Sequence, residues 1–98
     1  MDYEIFEISK ENENIVDEIS KDDIVSRQSI WKRDAKSLGM EGNSIFLKIE
    51  GSHEAIRRAE EIIKDKAKKV EGKRKDEINK KFIEDEERAS AGMGFIFD

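Results

Sequence analysis

The chain has 98 residues, of which 44% are charged and 36% hydrophobic, and its net charge is −5. This length suffices for one domain with a single core. The absence of cysteine excludes disulfides, thiolate metal sites and thiol nucleophiles. We expect neither a signal peptide nor a transmembrane helix, and therefore a cytoplasmic protein. The abundance of Lys, Glu and Ile without proline is typical of thermophile proteins.

The first segment predicts an inner strand followed by a helix. Apolar residues on both faces of 3–8 (YEIFEI) favour a strand that is covered on both sides. Ser9 is a suitable N-cap, and Ile15, Val16 and Ile19 give the following helix a narrow apolar stripe. We expect that helix to end near Lys21.

Residues 24–38 have two interpretations. As a helix, they place Trp31, Ala35 and Leu38 on one side, and Gly39 becomes a left-handed C-cap. As a strand, they pair back through the turn 39–43 onto the next strand. The turn chemistry favours the hairpin, and the local propensity favours the helix. We adopt the hairpin as the prediction.

Residues 44–70 combine a strand and a strongly amphipathic helix. Ile45, Leu47 and Ile49 alternate with Phe46 across the strand, and Gly51 ends it. Ser52 is the predicted N-cap of a helix that extends to Val70.

The remaining chain predicts a charged helix and a short strand. We interpret 1–72 as a compact α+β core, 73–91 as a charged helical extension, and 92–98 as a C-terminal strand that docks on the sheet. All three belong to a single domain. The acids at 84–87 lie where the helix dipole disfavours them, which indicates an exposed segment or a basic partner.

The order β-α-β-β-α resembles a ferredoxin-like sandwich, an antiparallel sheet with helices on one face. Ferredoxin-like modules such as ACT domains bind small ligands at faces between subunits. The resemblance implies an effector site between subunits in this chain as well.

No residue pattern predicts catalysis, a metal site or a cofactor. His53 is the single histidine, and no Ser or second His stands at a motif spacing from it. The loop Gly39-Met40-Glu41-Gly42 resembles the G-x-x-G loop of KH domains. Here it precedes a strand and carries an acid, which favours a plain hairpin turn. We therefore expect no enzyme.

The charge is unevenly distributed. Residues 25–51 and 52–75 carry net charges of +2 and +4, whereas the two ends carry −7 and −4. A basic middle can mark a nucleic-acid face or the complement of the acidic ends. The alternative prediction is an RNA-binding module that uses Lys32, Arg33, Lys36, Lys64, Lys66, Lys68, Lys69, Lys73, Arg74 and Lys75.

The favoured prediction is a small non-catalytic interaction or accessory protein that self-associates or binds a protein partner. Trp31 is the single tryptophan, and apolar residues in the charged helix and near the C-terminus need a surface to pack against. The predicted interface consists of Trp31, Ile78, Phe82, Phe95, Ile96 and Phe97. Membrane association is not expected.

Overall fold

A computed structural model describes the backbone of residues 2–97 and the side chains of residues 2–88. The fold is α+β, with one four-stranded sheet and three helices. All neighbouring strands are antiparallel, in the order β2-β3-β1-β4. The elements are β1 (Asp2–Ile8), α1 (Asn14–Lys21), β2 (Ser29–Asp34), β3 (Ile45–Gly51), α2 (His53–Ile63), β4 (Lys68–Val70) and α3 (Gly72–Phe97).

The first face of the sheet, which α1 and α2 cover, carries the larger core. Alternation in β1 turns Phe6 and Ile8 to this face, and alternation in β3 turns Ile45, Leu47 and Ile49 to it. The predicted stripe of α1 is buried against them, and α1 ends at Lys21 as expected. This core contains Phe6, Ile8, Ile15, Val16, Ile19, Val25, Ile45, Leu47, Ile49, Ile56, Ala59 and Ile63.

The helix α2 is shorter than predicted. Its start is confirmed, since the Ala55 N–H donates to the Ser52 hydroxyl at 3.1 Å. The prediction that it reaches Val70 is wrong, because Lys64 leaves the helix with φ 46° and ψ −118°. The chain then extends, and Val70 pairs opposite Ile5 within β4.

The hairpin prediction for residues 24–38 is confirmed for the central part of that segment, whereas Val25–Arg27 before it is a 3₁₀ turn. Residues Ser29–Asp34 form β2, which pairs antiparallel with β3. A 3₁₀ turn over Lys36–Leu38 and the left-handed Gly39, at φ 75°, return the chain. The left-handed conformation of Gly39 was predicted under the helical interpretation, and it occurs here in the turn of the hairpin.

The helices α1 and α2 share the first face, as predicted for the sandwich, and the second face of the sheet is covered by α3, the segment that was predicted as a charged helical extension. Ile78 and Phe82 of α3 pack against Ile5, Phe46 and Val70. The physical reason is that the two central strands are apolar on both faces, and an uncovered face would leave Ile5 and Phe46 in water.

The backbone is helical to Phe97, so residues 92–97 do not form the strand that was predicted for 92–98. The side chains of that segment lie outside the described residues, so its docking stays a prediction.

Candidate functional site

The strand β2 forms one open edge of the sheet. Its six residues pair with β3 only. The Ala35 N–H donates to the Ser44 carbonyl at 2.9 Å, and these residues continue the β2–β3 register. Since backbone groups alternate in direction along an antiparallel pair, Ile30, Lys32 and Asp34 turn their N–H and C=O groups away from β3. We call this outward row the β2 edge.

The opposite edge of the sheet is shorter and more polar. The strand β4 has three residues, and two of them are Lys68 and Lys69. The Lys69 ammonium donates to Glu60 at 3.0 Å, which raises the pKa of Lys69. Short length and lysines are the features by which natural sheets discourage strand addition. The β2 edge also carries the charged residues Lys32, Arg33 and Asp34, but it is twice as long as β4 and is for that reason the better candidate for pairing with another chain.

A buried lysine lies between two aromatic rings beside the β2 edge, on the second face. The register places Trp31 opposite Lys48, and Tyr3 lies on the neighbouring strand β1. Lys48 is 7% exposed, and its Nζ lies 5.0 Å from the Trp31 ring centroid and 5.3 Å from that of Tyr3. A cation over an aromatic face contributes about 0.5 to 2 kcal/mol, more when it is desolvated. We call Tyr3, Trp31 and Lys48 the aromatic strip.

Both rings of the aromatic strip are only half-buried. Within the described residues, Lys48 forms no ion pair or side-chain hydrogen bond. A buried charge without a carboxylate normally costs stability, so the two rings are its main electrostatic compensation.

Ion pairs hold α3 along the second face. Arg74 donates to Glu7 of β1 at 2.9 Å, and Arg33 of β2 donates to Asp85 at 2.7 Å. The Arg74 guanidinium lowers the pKa of Glu7, and the Arg33 guanidinium lowers that of Asp85. These two contacts show that α3 crosses the sheet from β1 towards β2.

The start of α3 lies near the aromatic strip. The Lys75 ammonium lies 3.2 Å from Glu4 and 4.5 Å from the centroid of the Tyr3 ring. The acids predicted to seek a basic partner find one in part, since Asp85 pairs with both Arg33 and Arg88.

The residues of the alternative RNA surface are divided between the two faces of the sheet. Lys32 pairs with Glu13 next to α1, whereas Arg33 pairs with Asp85 of α3. Lys69, Arg74 and Lys75 also contact carboxylates. Five of the ten residues of this surface form no ion pair with another described residue: Lys36, Lys64, Lys66, Lys68 and Lys73.

Two of those lysines share a polar cavity. Lys66 and Lys68 line about 300 Å³ together with Ser9, Asn12 and the carboxylates of Glu7 and Asp65. The two acids reduce the positive potential that an anionic ligand would meet there.

The predicted interface residues have different environments. Ile78 and Phe82 are 1% and 4% exposed, so they pack within the chain. Trp31 lies half-buried beside the β2 edge, and the side chains of Phe95, Ile96 and Phe97 lie outside the described residues. The sequence analysis missed Tyr3 and Lys48. The signal for Lys48 was a charged residue between apolar ones in a strand that is covered on both faces.

His53 is exposed and pairs with Asp2 at 3.4 Å. In the part of the chain that the structure describes, no three His, Asp or Glu side chains converge in a way that would hold a metal ion. Every helix within that part is too short or too polar to cross a lipid bilayer.

Comparisons of this chain with protein-family models, with curated proteins and with solved structures gave no match.

Proposed function

We propose that the chain is a non-catalytic interaction protein that self-associates through the β2 edge. The observation that carries the proposal is a regular six-residue strand whose outward backbone groups pair with no other strand among the described residues, beside a half-buried tryptophan. One outward group has a local partner, since the Lys32 carbonyl accepts a hydrogen bond from the neighbouring Arg33 side chain at 2.8 Å. An open edge of this length is a template for a strand of another chain. A second copy of the same strand gives an isologous, closed dimer.

One antiparallel register fits the β2 edge best. A twofold axis at Trp31 places the two tryptophans opposite each other, with Ile30 of each copy opposite Lys32 of the other. The pairs that form hydrogen bonds are then the outward-facing residues of both copies. An axis at Lys32 would instead place two ammonium groups opposite each other, which is unfavourable.

The topology supports the ferredoxin-like interpretation. The elements follow the order β-α-β-β-α-β before α3 begins, and the antiparallel strand order is β2-β3-β1-β4. In this proposal, α3 is an additional layer on the face that such a sandwich leaves open. A small effector bound between copies, which the resemblance to ACT domains implies, is part of the same proposal.

Proline at position 32 tests the β2 edge directly. The N–H of Lys32 turns away from β3, so Lys32→Pro removes a donor of the outward row and leaves the β2–β3 hydrogen bonds in place. Lys32→Ala is the matched control, because it also removes the ion pair to Glu13 but keeps the N–H. The measurement is light scattering coupled to size exclusion at about 100 µM chain, well above a micromolar Kd.

The expected mass for the unmodified chain and for Lys32→Ala is twice 11.4 kDa. Lys32→Pro should elute as a monomer with an unchanged circular dichroism spectrum. A monomeric unmodified chain, or a Lys32→Pro variant that still dimerises, would refute the proposal.

The RNA-binding alternative has weaker support, because half of its residues are already paired with carboxylates. Its best remaining surface is Lys66 and Lys68 beside Ser9 and Asn12. Binding of a single-stranded RNA at about 50 mM salt that is lost in a Lys66→Glu, Lys68→Glu variant would favour it. Absence of binding at that salt concentration would eliminate it.

A further inference from the structure

We propose that the part of the second face beside the aromatic strip binds a free aromatic amino acid, with Trp31, Lys48 and Glu50 as its main contacts. The inference rests on the proposed function, because it names the class of the effector. The site is nevertheless complete within one chain, so it can be tested without the dimer.

The path of α3 determines which part of the second face stays open. Arg74, near the start of α3, contacts Glu7. Asp85, further along the helix, contacts Arg33. Both Glu7 and Arg33 lie opposite Phe46 in the strand register, so α3 crosses the sheet along this one row of residues. Rows on the same face of a sheet lie about 7 Å apart, and a helix about 10 Å wide covers its own row and part of the next.

The two rows beyond α3 form what we call the open corner. The nearer row contains Trp31 and Lys48. The farther row contains, in order across the sheet, Ser29, Glu50 and Tyr3. Ser29 is exposed and small, so it leaves the surface beside the Trp31 ring free of a large side chain. A flat ring can therefore lie against Trp31 from this side.

Two opposite charges in the open corner have no ionic partner. Neither Lys48 nor Glu50 forms an ion pair or a side-chain hydrogen bond with another described residue. Lys48 is only 7% exposed, which makes an unpaired ammonium group costly. The polar side-chain atoms that are buried without a hydrogen bond are Glu4 Oε2 and Asn79 Oδ1, so the Lys48 Nζ reaches the surface.

The arrangement of these charges selects the class of ligand. Lys48 and Glu50 are two residues apart on one face of β3, about 7 Å along the strand. A carboxylate and an ammonium group on a single carbon atom can pair with both at once. A simple anion would meet the repulsion of Glu50, and a simple cation would meet that of Lys48.

The ring of the ligand is placed by the same contact. The Lys48 Nζ lies 5.0 Å from the centroid of the Trp31 ring. A carboxylate bound to Lys48 therefore holds a ring on the attached carbon chain within reach of Trp31. Aromatic rings pack offset or edge to face at about 4.5 to 7 Å between centroids, which a half-buried tryptophan permits.

Fluorescence tests the open corner directly, because Trp31 is the single tryptophan of the chain. The probe is L-phenylalanine, which does not absorb where tryptophan is excited. It is titrated to about 10 mM, since a ligand this small is expected to bind with a Kd of about 1 mM or below. We expect a saturable change in Trp31 emission. A chain whose emission does not change with L-phenylalanine would overturn the proposal.

Three analogues each lack one of the proposed contacts. Hydrocinnamate lacks the ammonium group, phenethylamine lacks the carboxylate, and L-alanine lacks the ring. Each should bind about fivefold or more weakly than L-phenylalanine, because each leaves a charge or a ring of the site without its partner. An analogue that binds as tightly as L-phenylalanine would contradict the proposal.

Two variants test the charged contacts. Lys48→Met keeps the apolar stem and should raise the Kd for L-phenylalanine about tenfold or more. Glu50→Gln should raise the Kd for L-phenylalanine but not that for hydrocinnamate, which has no ammonium group. Lys36→Met is the matched control, since Lys36 is an exposed lysine in the turn at the other end of β2. An unchanged Kd in a Lys48→Met variant with a native circular dichroism spectrum would refute the site.

The monomeric variant Lys32→Pro separates this inference from the proposed dimer. It should bind L-phenylalanine with the same Kd as the unmodified chain. Binding by an unmodified chain that proves to be monomeric would support the site and refute the dimer. A dimer that does not bind L-phenylalanine would refute the site and leave the dimer intact. Binding that is lost only in Lys32→Pro would overturn the inference that one chain completes the site.

Discussion

The two faces of the sheet are stabilised by different interactions. Under α1 and α2 the core consists of branched aliphatic side chains with Phe6, and under α3 a smaller core is combined with ion pairs and the aromatic strip. A dry aliphatic face gains its stability from burial, which salt and pH hardly change. The α3 face depends in part on charges, so its stability should respond to solution conditions. We therefore expect α3 to be the part of the fold that opens first.

The largest effect is expected from the aliphatic face. Leu47 is fully buried at the centre of the sheet, so Leu47→Ala leaves a cavity that two helices and three strands cannot close. We expect a loss of about 3 to 5 kcal/mol in the free energy of unfolding, measured by urea denaturation. Core substitutions that conserve side-chain volume cost about 1 kcal/mol. A loss no larger than that for Leu47→Ala would mean that this face is loosely packed.

A smaller global effect is expected from the α3 face. Phe82→Ala removes one of two buried apolar anchors of α3. The loss should be about 2 to 3 kcal/mol, less than for a fixed core site, because α3 can detach locally instead of retaining a cavity. Amide hydrogen exchange should accelerate within α3 and remain slow in β1 and β3. Equal acceleration in the sheet would show that the two faces unfold as one unit.

Two substitutions of the buried Lys48 separate the contribution of its charge to stability from that of its carbon chain. Lys48→Met keeps the apolar stem and loses the cation–π contacts, while the cost of burying a charge also disappears. We expect a change of about 1 kcal/mol or less for Lys48→Met and a loss of about 1 to 2 kcal/mol for Lys48→Ala. Equal losses in both variants would show that the ammonium group, and not the stem, stabilises this face.

The smallest effect is a dependence on pH. Glu7 and Asp85 have pKa values lowered by Arg74 and Arg33, so their ionised forms stabilise the folded chain. That contribution is present above their unfolded pKa values, about 4, and is lost as the pH falls through the lower folded values. Urea midpoints at about pH 7, 5 and 3 should therefore decline towards acid, across these pKa values.

A Glu7→Gln, Asp85→Asn variant should show a flatter decline towards acid. Its urea midpoint should still fall somewhat towards acid, because Asp22 also has a lowered pKa, chiefly through the hydrogen bond from the Val25 N–H. An unchanged pH profile in this variant would remove the electrostatic distinction between the two faces.

The sequence predicted those elements whose signals are local. The stripe of α1, the Ser52 cap of α2 and the alternation in β3 all follow from spacing or capping, and the structure contains each of them. The sequence did not predict β4, because Lys68–Val70 continues the helical period of α2. Its strand pairing depends on Ile5, a partner more than sixty positions away.

At the candidate site, too, the sequence predicted the residue with a local signal and missed those that depend on strand pairing. Trp31 was selected because an isolated tryptophan is conspicuous in a sequence. Lys48 and Tyr3 join it only through the register of three strands, which no local pattern encodes. The packing of α3 on the second face also depends on tertiary contacts. Among the described side chains of α3, only Ile78 and Phe82 are buried apolar residues, which is too few for a recognisable apolar stripe.

The central position of β1 has a consequence for folding kinetics. This strand precedes both of its partners, β3 and β4, by long intervals of sequence. The hairpin of β2 and β3 can close within microseconds, whereas inserting β1 requires closure of a much longer loop. During synthesis β1 emerges before any strand that could pair with it. Its apolar residues therefore remain available to other chains until β3 has been made.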